Sequence, residues 1–351
     1  MRRCYEKVML LSDRQCRRRY RRICLFSLIF CLLILQYFIF RFYQKEIDCP
    51  ADYSITTLSF DVLERNLSNG ESIVKLNPRI LCWIPTTLQR LDRALVIYQS
   101  VFLRKIFRKE IIEFLSYRTW SKRCDHSIFL IAGTSSAVPV NRSVYPFHIG
   151  YIGNEKLEKY QLLPEKVLHA LLYIYQQFGT EYDWFFKADD DTYVIVENLR
   201  SFLRRRPGNI PFYYGYVART PDRFYASGGA GYVLSQEALK QFAEKVLLRP
   251  EQRALCERDE AEDVNIAYCL AQAGIFVTNG RDDQQRERFH PMTFEQHYLG
   301  NFTRWIEKNA QFPQEKGDRC CSPSTISFHS LSPDQIRMME FLLYQIKIES
   351  I

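Results

Sequence analysis

The segment DWFFKADDDTYVIV (183–196) sets three consecutive carboxylates, Asp189, Asp190 and Asp191, between two apolar runs of strand-like composition. Like charges this close repel one another and resist desolvation. A divalent cation resolves the conflict: oxygen ligands suit Mg²⁺ or Mn²⁺, and such an ion bridges a diphosphate and offsets the charge that develops as a nucleoside diphosphate departs. An isolated acidic triplet reads more readily as a solvated turn. Buried-type strands on both sides shift the reading to a site at strand ends.

Working outward, the chain alternates in the manner of an α/β domain. ILCWI (80–84) and SIFLIA (127–132) are short apolar runs of strand length, separated by a helical-looking stretch from Leu88 to about Leu115. Val167, Leu171, Ile174 and Phe178 recur at helical spacing, which predicts an amphipathic helix over 164–178 with Pro164 in its first turn. Residues 192–199 continue from β into helical character. In SGGAGYVL (227–234) the glycines let backbone approach a ligand, and Ser235 is placed to cap a following helix. We read one domain over 79–351.

Glu262 and Asp263, in EDVNIAYC (262–269), stand at a predicted helix N-terminus, where negative charge is favoured. Capping alone accounts for them; the functional alternative is a general base that takes a proton from an attacking hydroxyl. His329, in SFH (327–329), is a candidate nitrogen ligand for the same cation, and His290, in FHP, is a weaker one. A single histidine is more often structural, so spacing alone does not decide either.

Composition sets the compartment and excludes some partners. The net charge of +8 comes mostly from residues 1–22, where nine Arg or Lys outweigh Glu6 and Asp13; the rest is near neutral, which argues against nucleic acid as a partner. ICLFSLIFCLLILQYFIF (23–40) is uncharged and spans roughly 27 Å as a helix, close to a hydrocarbon core of about 30 Å. It reads as a transmembrane signal-anchor. The preceding arginines stay cytoplasmic as a tail (1–22), which sends a stem (41–78) and the body into the lumen. Cys82, Cys124, Cys256, Cys269, Cys320 and Cys321 then lie in an oxidising compartment, with Cys49 as the odd cysteine, suited to a link between chains or a free thiol. Asn66, Asn141 and Asn301 begin glycosylation sequons.

Taken in order, KADDDTYVIVENLR (187–200), SGGAGYVLSQEAL (227–239), EDVNIAYC (262–269), FHP (289–291), DRCCS (318–322) and SFH (327–329) resemble the animal core 1 β1,3-galactosyltransferases of the fringe-like group, glycosyltransferase family 31. The resemblance implies a GT-A fold, a Rossmann-like nucleotide-sugar binding α/β architecture, behind an N-terminal transmembrane helix in the Golgi membrane. It implies UDP-galactose as donor, Mn²⁺ as cofactor, inversion at the anomeric carbon, O-linked GalNAc of glycoproteins as acceptor, and a homodimer. By motif position Asp189, Asp191 and His329 hold the metal, and Asp189, Asp190 and Lys166 hold the donor. Gly228, Gly229 and Ala230 line the floor beneath both substrates, and Asp263 is the base. Trp305 and Glu262 fall on the acceptor side. Cys82 with Cys124 is the disulfide that the resemblance favours, both flanking the first two predicted strands.

The chain also departs from that family. The helix around Lys166 reads Pro164-Glu165-Lys166-Val167 where relatives tend to carry Trp-X-Lys-Thr, and RWIEKNAQFP (304–313) keeps only Trp305, Phe312 and Pro313 of a segment usually rich in Trp, Tyr and Asn. Residues 104–118 read as an insertion. These departures keep two other readings in play: a fringe-like transferase with another donor or acceptor, and a non-catalytic, chaperone-like relative. The intact triplet, with Asp263 and His329, argues against the second.

Overall fold

A computed structural model describes residues 75–87, 116–135, 147–256 and 260–349. The chain divides into two units, Met1–Ser68 and Asn69–Ile351, and every described residue belongs to the second. The expected membrane helix at 23–40, the stem up to residue 74, Cys49, Asn66, Asn141 and the helical-looking stretch from Leu88 to about Leu115 lie outside the described residues. Among the described residues no helix is long and apolar enough to cross a membrane.

The strands are β1 (Ile80–Pro85), β2 (His126–Ala132), β3 (His148–Ile152), β4 (Trp184–Lys187), β5 (Tyr193–Val194), β6 (Tyr213–Gly215), β7 (Val217–Arg219), β8 (Phe224–Ala226), β9 (Tyr232–Ser235), β10 (Val277–Asn279), β11 (Phe289–His290) and β12 (Ser327–Phe328). The helices are α1 (Leu163–Phe178), α2 (Val196–Leu203), α3 (Gln236–Phe242), α4 (Pro250–Ala254), α5 (Glu262–Gln272), α6 (Phe294–Leu299), α7 (Arg304–Asn309) and α8 (Pro333–Tyr344). A seven-stranded mixed sheet runs β10-β6-β9-β4-β1-β2-β3. Its half from β4 to β3 is parallel, as suits the apolar runs of β1 and of β4 up to Lys187 when both faces are covered.

Reversal of one strand decides where the site forms. β9 lies antiparallel to β4, with Lys187 opposite Tyr232 and Trp184 opposite Ser235. The residues that follow β4 therefore meet those that precede β9, which are the acidic triplet and the glycine turn. Gly231 adopts φ +81°, and a Cβ there would lie 2.6 Å from the Phe186 ring, so this position demands glycine on both counts. Ser235 caps α3 through the Ala238 N–H, as the sequence suggests.

A second, three-stranded sheet, β11-β12-β5, grows from the end of the triplet. β12 runs antiparallel to β5, with Phe328 opposite Tyr193 and Ser327 opposite Val194. Helix α8 then closes over this sheet. Its Glu340 accepts from the Tyr193 hydroxyl at 2.7 Å and from both terminal nitrogens of Arg123. Burial opposes ionisation of Glu340, yet these bonds hold its carboxyl below the ordinary range.

Three disulfides join the six cysteines of the described residues, Cys82 to Cys124, Cys256 to Cys269 and Cys320 to Cys321. The first is the pair that the resemblance favours. Helix α1 begins one residue before the expected Pro164 and buries Val167, Leu168, Leu171 and Ile174 against the sheet. Apolar residues three and four apart line its inner face, as the helical period requires.

Candidate functional site

The site begins where β4 ends. After Lys187, the Ala188 N–H still donates to the Trp83 carbonyl, so the strand delivers the triplet from the sheet without slack. Thr192 N–H then donates to the Asp189 carbonyl, which turns the chain and starts it toward β5. Continuing the β5–β12 ladder by one residue sets His329 opposite Thr192. The Leu331 N–H donates to the Asp191 carbonyl and clamps the crossing.

This crossing brings three ligand-type side chains together. His329 Nε2 lies 3.0 Å from Asp191 Oδ1 and 3.9 Å from Asp189 Oδ2. One ligand atom from each residue falls within 4.8 Å of the others. Side-chain exposures of 31% for Asp189, 33% for Asp191 and 23% for His329 leave the group open to a ligand. His329 Nδ1 lies 3.2 Å from the Pro291 carbonyl. A carbonyl only accepts, so Nδ1 carries the proton in that bond; Nε2 donates to Asp191 when the ring is protonated and would offer its lone pair to a cation. Two carboxylate oxygens and one imidazole nitrogen form a donor set that fits Mn²⁺ or a similar first-row cation. In the absence of such an ion the imidazole substitutes for it. Burial disfavours its charge, but the Asp191 hydrogen bond and the charges of Asp191 and Asp189 raise its pKa above the ordinary value.

Asp190 is placed differently. It is buried, its carbonyl accepts from Ser116 Oγ at 3.3 Å, and its carboxylate is not one of the three grouped ligands. Lys166 sits at the carboxyl ends of β1 and β2: its ammonium donates to the Thr86 carbonyl and pairs with Glu158 at 3.2 Å, while Glu158 also accepts from the Ala132 N–H. The structure thus brings Asp189, Asp191 and His329 together and holds buried Lys166 on the Thr86 carbonyl and Glu158.

The glycine turn forms the floor. A Cβ on Gly228 would lie 2.5 Å from Glu262 Oε2, and one on Gly229 would lie 2.4 Å from His329 Cε1. Thr192 Oγ1 donates to the Gly229 carbonyl at 2.8 Å, and Ser327 Oγ donates to that of Ala230. The turn is thus stitched to both segments that carry the metal-type ligands.

Across this floor, Glu262 and Asp263 open helix α5, as predicted, but their side chains do more than cap it. Asp263 Oδ2 accepts from the Gly228 N–H at 3.0 Å, and Oδ1 from the Val264 N–H at 2.9 Å. Burial raises the Asp263 carboxyl above its ordinary range, against the pull of the Gly228 bond and of Lys187, which makes it a stronger base than an exposed aspartate. Glu262 is buried deeper and accepts from the Tyr232 hydroxyl at 3.1 Å. Burial pushes its carboxyl up to about 7, with Lys187 pulling the other way and the charges of Asp263 and Asp189 adding to the rise.

Trp305, on α7, is 37% exposed. Its indole reaches the hydroxyl of Tyr225 on β8, and that hydroxyl lies in the field of the Asp263 carboxylate; burial and then Asp263 raise its pKa. Sequence reasoning missed Tyr225, Tyr232, Thr192 and Lys187. The signal for Lys187 was in the sequence: a lysine inside the apolar run DWFFKA is buried, and a buried ammonium requires a partner.

A family model described as Fringe-like matches residues 97–290, a stretch that holds the triplet, the glycine turn and Glu262-Asp263. The chain belongs to the Fringe-like family. This Fringe-like chain is 32% identical over 282 residues to Glycoprotein-N-acetylgalactosamine 3-beta-galactosyltransferase 1 of Xenopus laevis, across 77% of the present chain and 67% of that protein. It is 23% identical over 171 residues to Chondroitin sulfate synthase 3 of Homo sapiens, across 45% of this chain and 18% of that one. The Fringe-like chain is therefore a glycosyltransferase and groups with the core 1 β1,3-galactosyltransferases. Among solved structures, a glycosyltransferase involved in glycosylation of the major capsid of PBCV-1 is similar at a TM-score of 0.34 and 12% identity, across 75% of this chain and all of that one. A 4-diphosphocytidyl-2C-methyl-D-erythritol synthase from Anaerococcus prevotii gives 0.32 and 10%, across 57% and 87%.

Proposed function

We propose that this chain is an inverting, metal-dependent β1,3-galactosyltransferase of GT-A fold that moves galactose from UDP-galactose to O-linked GalNAc of glycoproteins. It works as a dimer in the lumen of the Golgi, anchored by residues 23–40 with its amino terminus in the cytoplasm. The observation that carries the reading is the placement of Asp263 against Gly228 and of the Asp189-Asp191-His329 group against Gly229, on one glycine turn. One set suits a departing diphosphate and the other an entering hydroxyl.

Asp189, Asp191 and His329 are the residues that would hold Mn²⁺. When bound, the ion supplies positive charge against the diphosphate as it leaves. Asp263, held by two backbone N–H groups, accepts the proton of the acceptor 3-hydroxyl. The bond from that oxygen to the anomeric carbon forms as the bond from the carbon to the phosphate oxygen breaks, UDP carries off the electron pair, and the configuration inverts. Gly228 to Ala230 keep side chains out of the volume in which both sugars lie. Trp305 offers the acceptor an aromatic face, fixed by its contact with Tyr225.

The test uses detergent-solubilised full-length protein with a panel of UDP-sugars, Mn²⁺ and a peptide bearing O-linked GalNAc. Transfer from UDP-galactose to the 3-hydroxyl is the expected result. A second reading, the same chemistry with another donor or acceptor, is favoured by the sparse aromatic content of 304–313; transfer from a different UDP-sugar, or only to a different acceptor, would replace the first. No transfer from any donor by folded protein would sink both.

A further inference from the structure

Lys187 stands where three segments of the site converge. Its side chain is 1% exposed, and Nζ lies 2.7 Å from Asp189 Oδ1, 3.3 Å from Glu262 Oε2 and 3.2 Å from the Gly228 carbonyl oxygen. The remaining oxygen of Asp189, Oδ2, is the one that faces His329. One oxygen is held by an ammonium while the other points into the cation site. The backbone of Gly228 extends the link through its two flanking peptides, since its carbonyl receives Lys187 and its N–H donates to Asp263 Oδ2.

We infer that Lys187 is a positioning residue that limits Asp189 to one-oxygen ligation of the cation and ties that ligand, through the backbone of Gly228, to the base Asp263. The inference rests on the metal-dependent reading above. A carboxylate with both oxygens free can chelate an ion through the pair, an arrangement that suits Ca²⁺, which takes six to eight oxygens, better than a smaller octahedral ion. An ammonium fixed on Oδ1 withdraws that option, and the site then favours the smaller cation. Two simpler roles give different signatures. If Lys187 only neutralised buried Glu262, its loss in a chain lacking the Glu262 charge would change no cation preference. If it acted only as a nearby positive charge, its loss would tighten all divalent cations alike.

Lys187→Met alone leaves Glu262 buried and unpaired, a change that destabilises folds. The informative variant is therefore the double Lys187→Met/Glu262→Gln, compared with Glu262→Gln, with thermal unfolding used to establish that both are folded. Mn²⁺ binding is measured on the full-length protein by electron paramagnetic resonance of the free ion, and Ca²⁺ binding by competition, without nucleotide or sugar. Relative to Glu262→Gln, the double variant is expected to bind Mn²⁺ about tenfold more weakly, as is common when the partner of a metal ligand is removed. Its preference for Mn²⁺ over Ca²⁺ should narrow by a similar factor. A preference equal to that of Glu262→Gln, whatever the absolute affinities, overturns the positioning role. Wild-type protein that binds neither cation overturns the metal-dependent reading itself, a separate and recognisable failure.

Discussion

The imidazole of His329 lies flat against the backbone of Gly229, so close that a methyl group added there would come within 2.4 Å of Cε1, 2.5 Å of Nδ1 and 2.7 Å of Nε2. All three atoms belong to the ring that faces Asp191. The ring has nowhere to retreat without leaving its ligand position, because Nδ1 is bound to the Pro291 carbonyl and the His329 N–H donates to the carbonyls of His290 and Met292. Gly229→Ala is therefore expected to lower Mn²⁺ affinity and Mn²⁺-dependent turnover by about 100-fold, the upper end for disturbing a ligand through its neighbour. Titration of activity against Mn²⁺ checks it; a wild-type response would show that the ring shifts freely.

Asp191→Ala removes the carboxylate that sits 3.0 Å from His329 Nε2. Metal-dependent transfer should be lost. His329 should also lose the partner that raises its pKa, so that its imidazole titrates lower in the variant than in the metal-free wild type. Proton resonances of the His329 ring, followed against pH in metal-free protein, read this directly.

Asp263→Asn keeps a group able to accept from the Gly228 N–H but removes the base. Turnover should fall by about 10²- to 10⁴-fold, the usual worth of a positioned general base. Binding of UDP and Mn²⁺, followed by calorimetry, should change little. Transfer at the wild-type rate would place the base elsewhere.

Glu287 gives a prediction about pH away from the site. Its carboxyl is buried, with Oε1 lacking a hydrogen-bond partner, and burial pushes its pKa up to about 8 in spite of Arg281. A carboxyl whose folded pKa exceeds its unfolded value contributes stability that is complete below the unfolded pKa and is lost as pH rises through the folded one. The window here runs from about 4.5 to about 8. Glu287→Gln lacks this dependence, so its stability relative to wild type should grow across that window and level off above it. The limiting slope is about 1.4 kcal/mol per pH unit. Chemical denaturation at several pH values measures it, and a constant difference would refute the assignment.

Trp305→Ala should raise the KM for the glycosylated acceptor about tenfold, with the KM for the UDP-sugar unchanged. A tenfold change corresponds to about 1.4 kcal/mol of lost binding. Tyr225→Phe, which keeps the ring but deletes the hydroxyl that meets the indole, should reproduce part of that effect. A rise in donor KM instead would move Trp305 to the other substrate.

Much of the donor side was legible because it is local. Strand β1 is apolar throughout and β4 is apolar up to Lys187, the triplet follows β4 after Ala188, and the glycines precede β9 by a single turn, so each element carries its own signature in consecutive residues. His329 was legible only through the resemblance. Nothing in the residues around it says that two rungs between β5 and β12 will carry it to Asp191, because that pairing is non-local. Lys187 hid for the opposite reason: it sits inside a segment that reads as strand core, and only the convergence of Asp189, Glu262 and the Gly228 carbonyl shows why a charge is tolerated there. Asp190 shows the limit of a motif read as a block. The three aspartates lie in a turn closed by the Thr192 N–H on the Asp189 carbonyl, which directs adjacent side chains differently, so they do not make three equivalent ligands.

The short ladder between β5 and β12 also sets the order in which this protein becomes competent. Asp189 and Asp191 leave the ribosome long before His329, and the rungs that unite them form only when β12 arrives. Until then the chain has the glycine turn and Asp263 but two of the three residues proposed to hold the cation. On the proposed metal-dependent reading, a polypeptide that ends between Asn279 and Ser327 keeps all seven strands of the central sheet yet lacks His329, and would be inert toward nucleotide sugars.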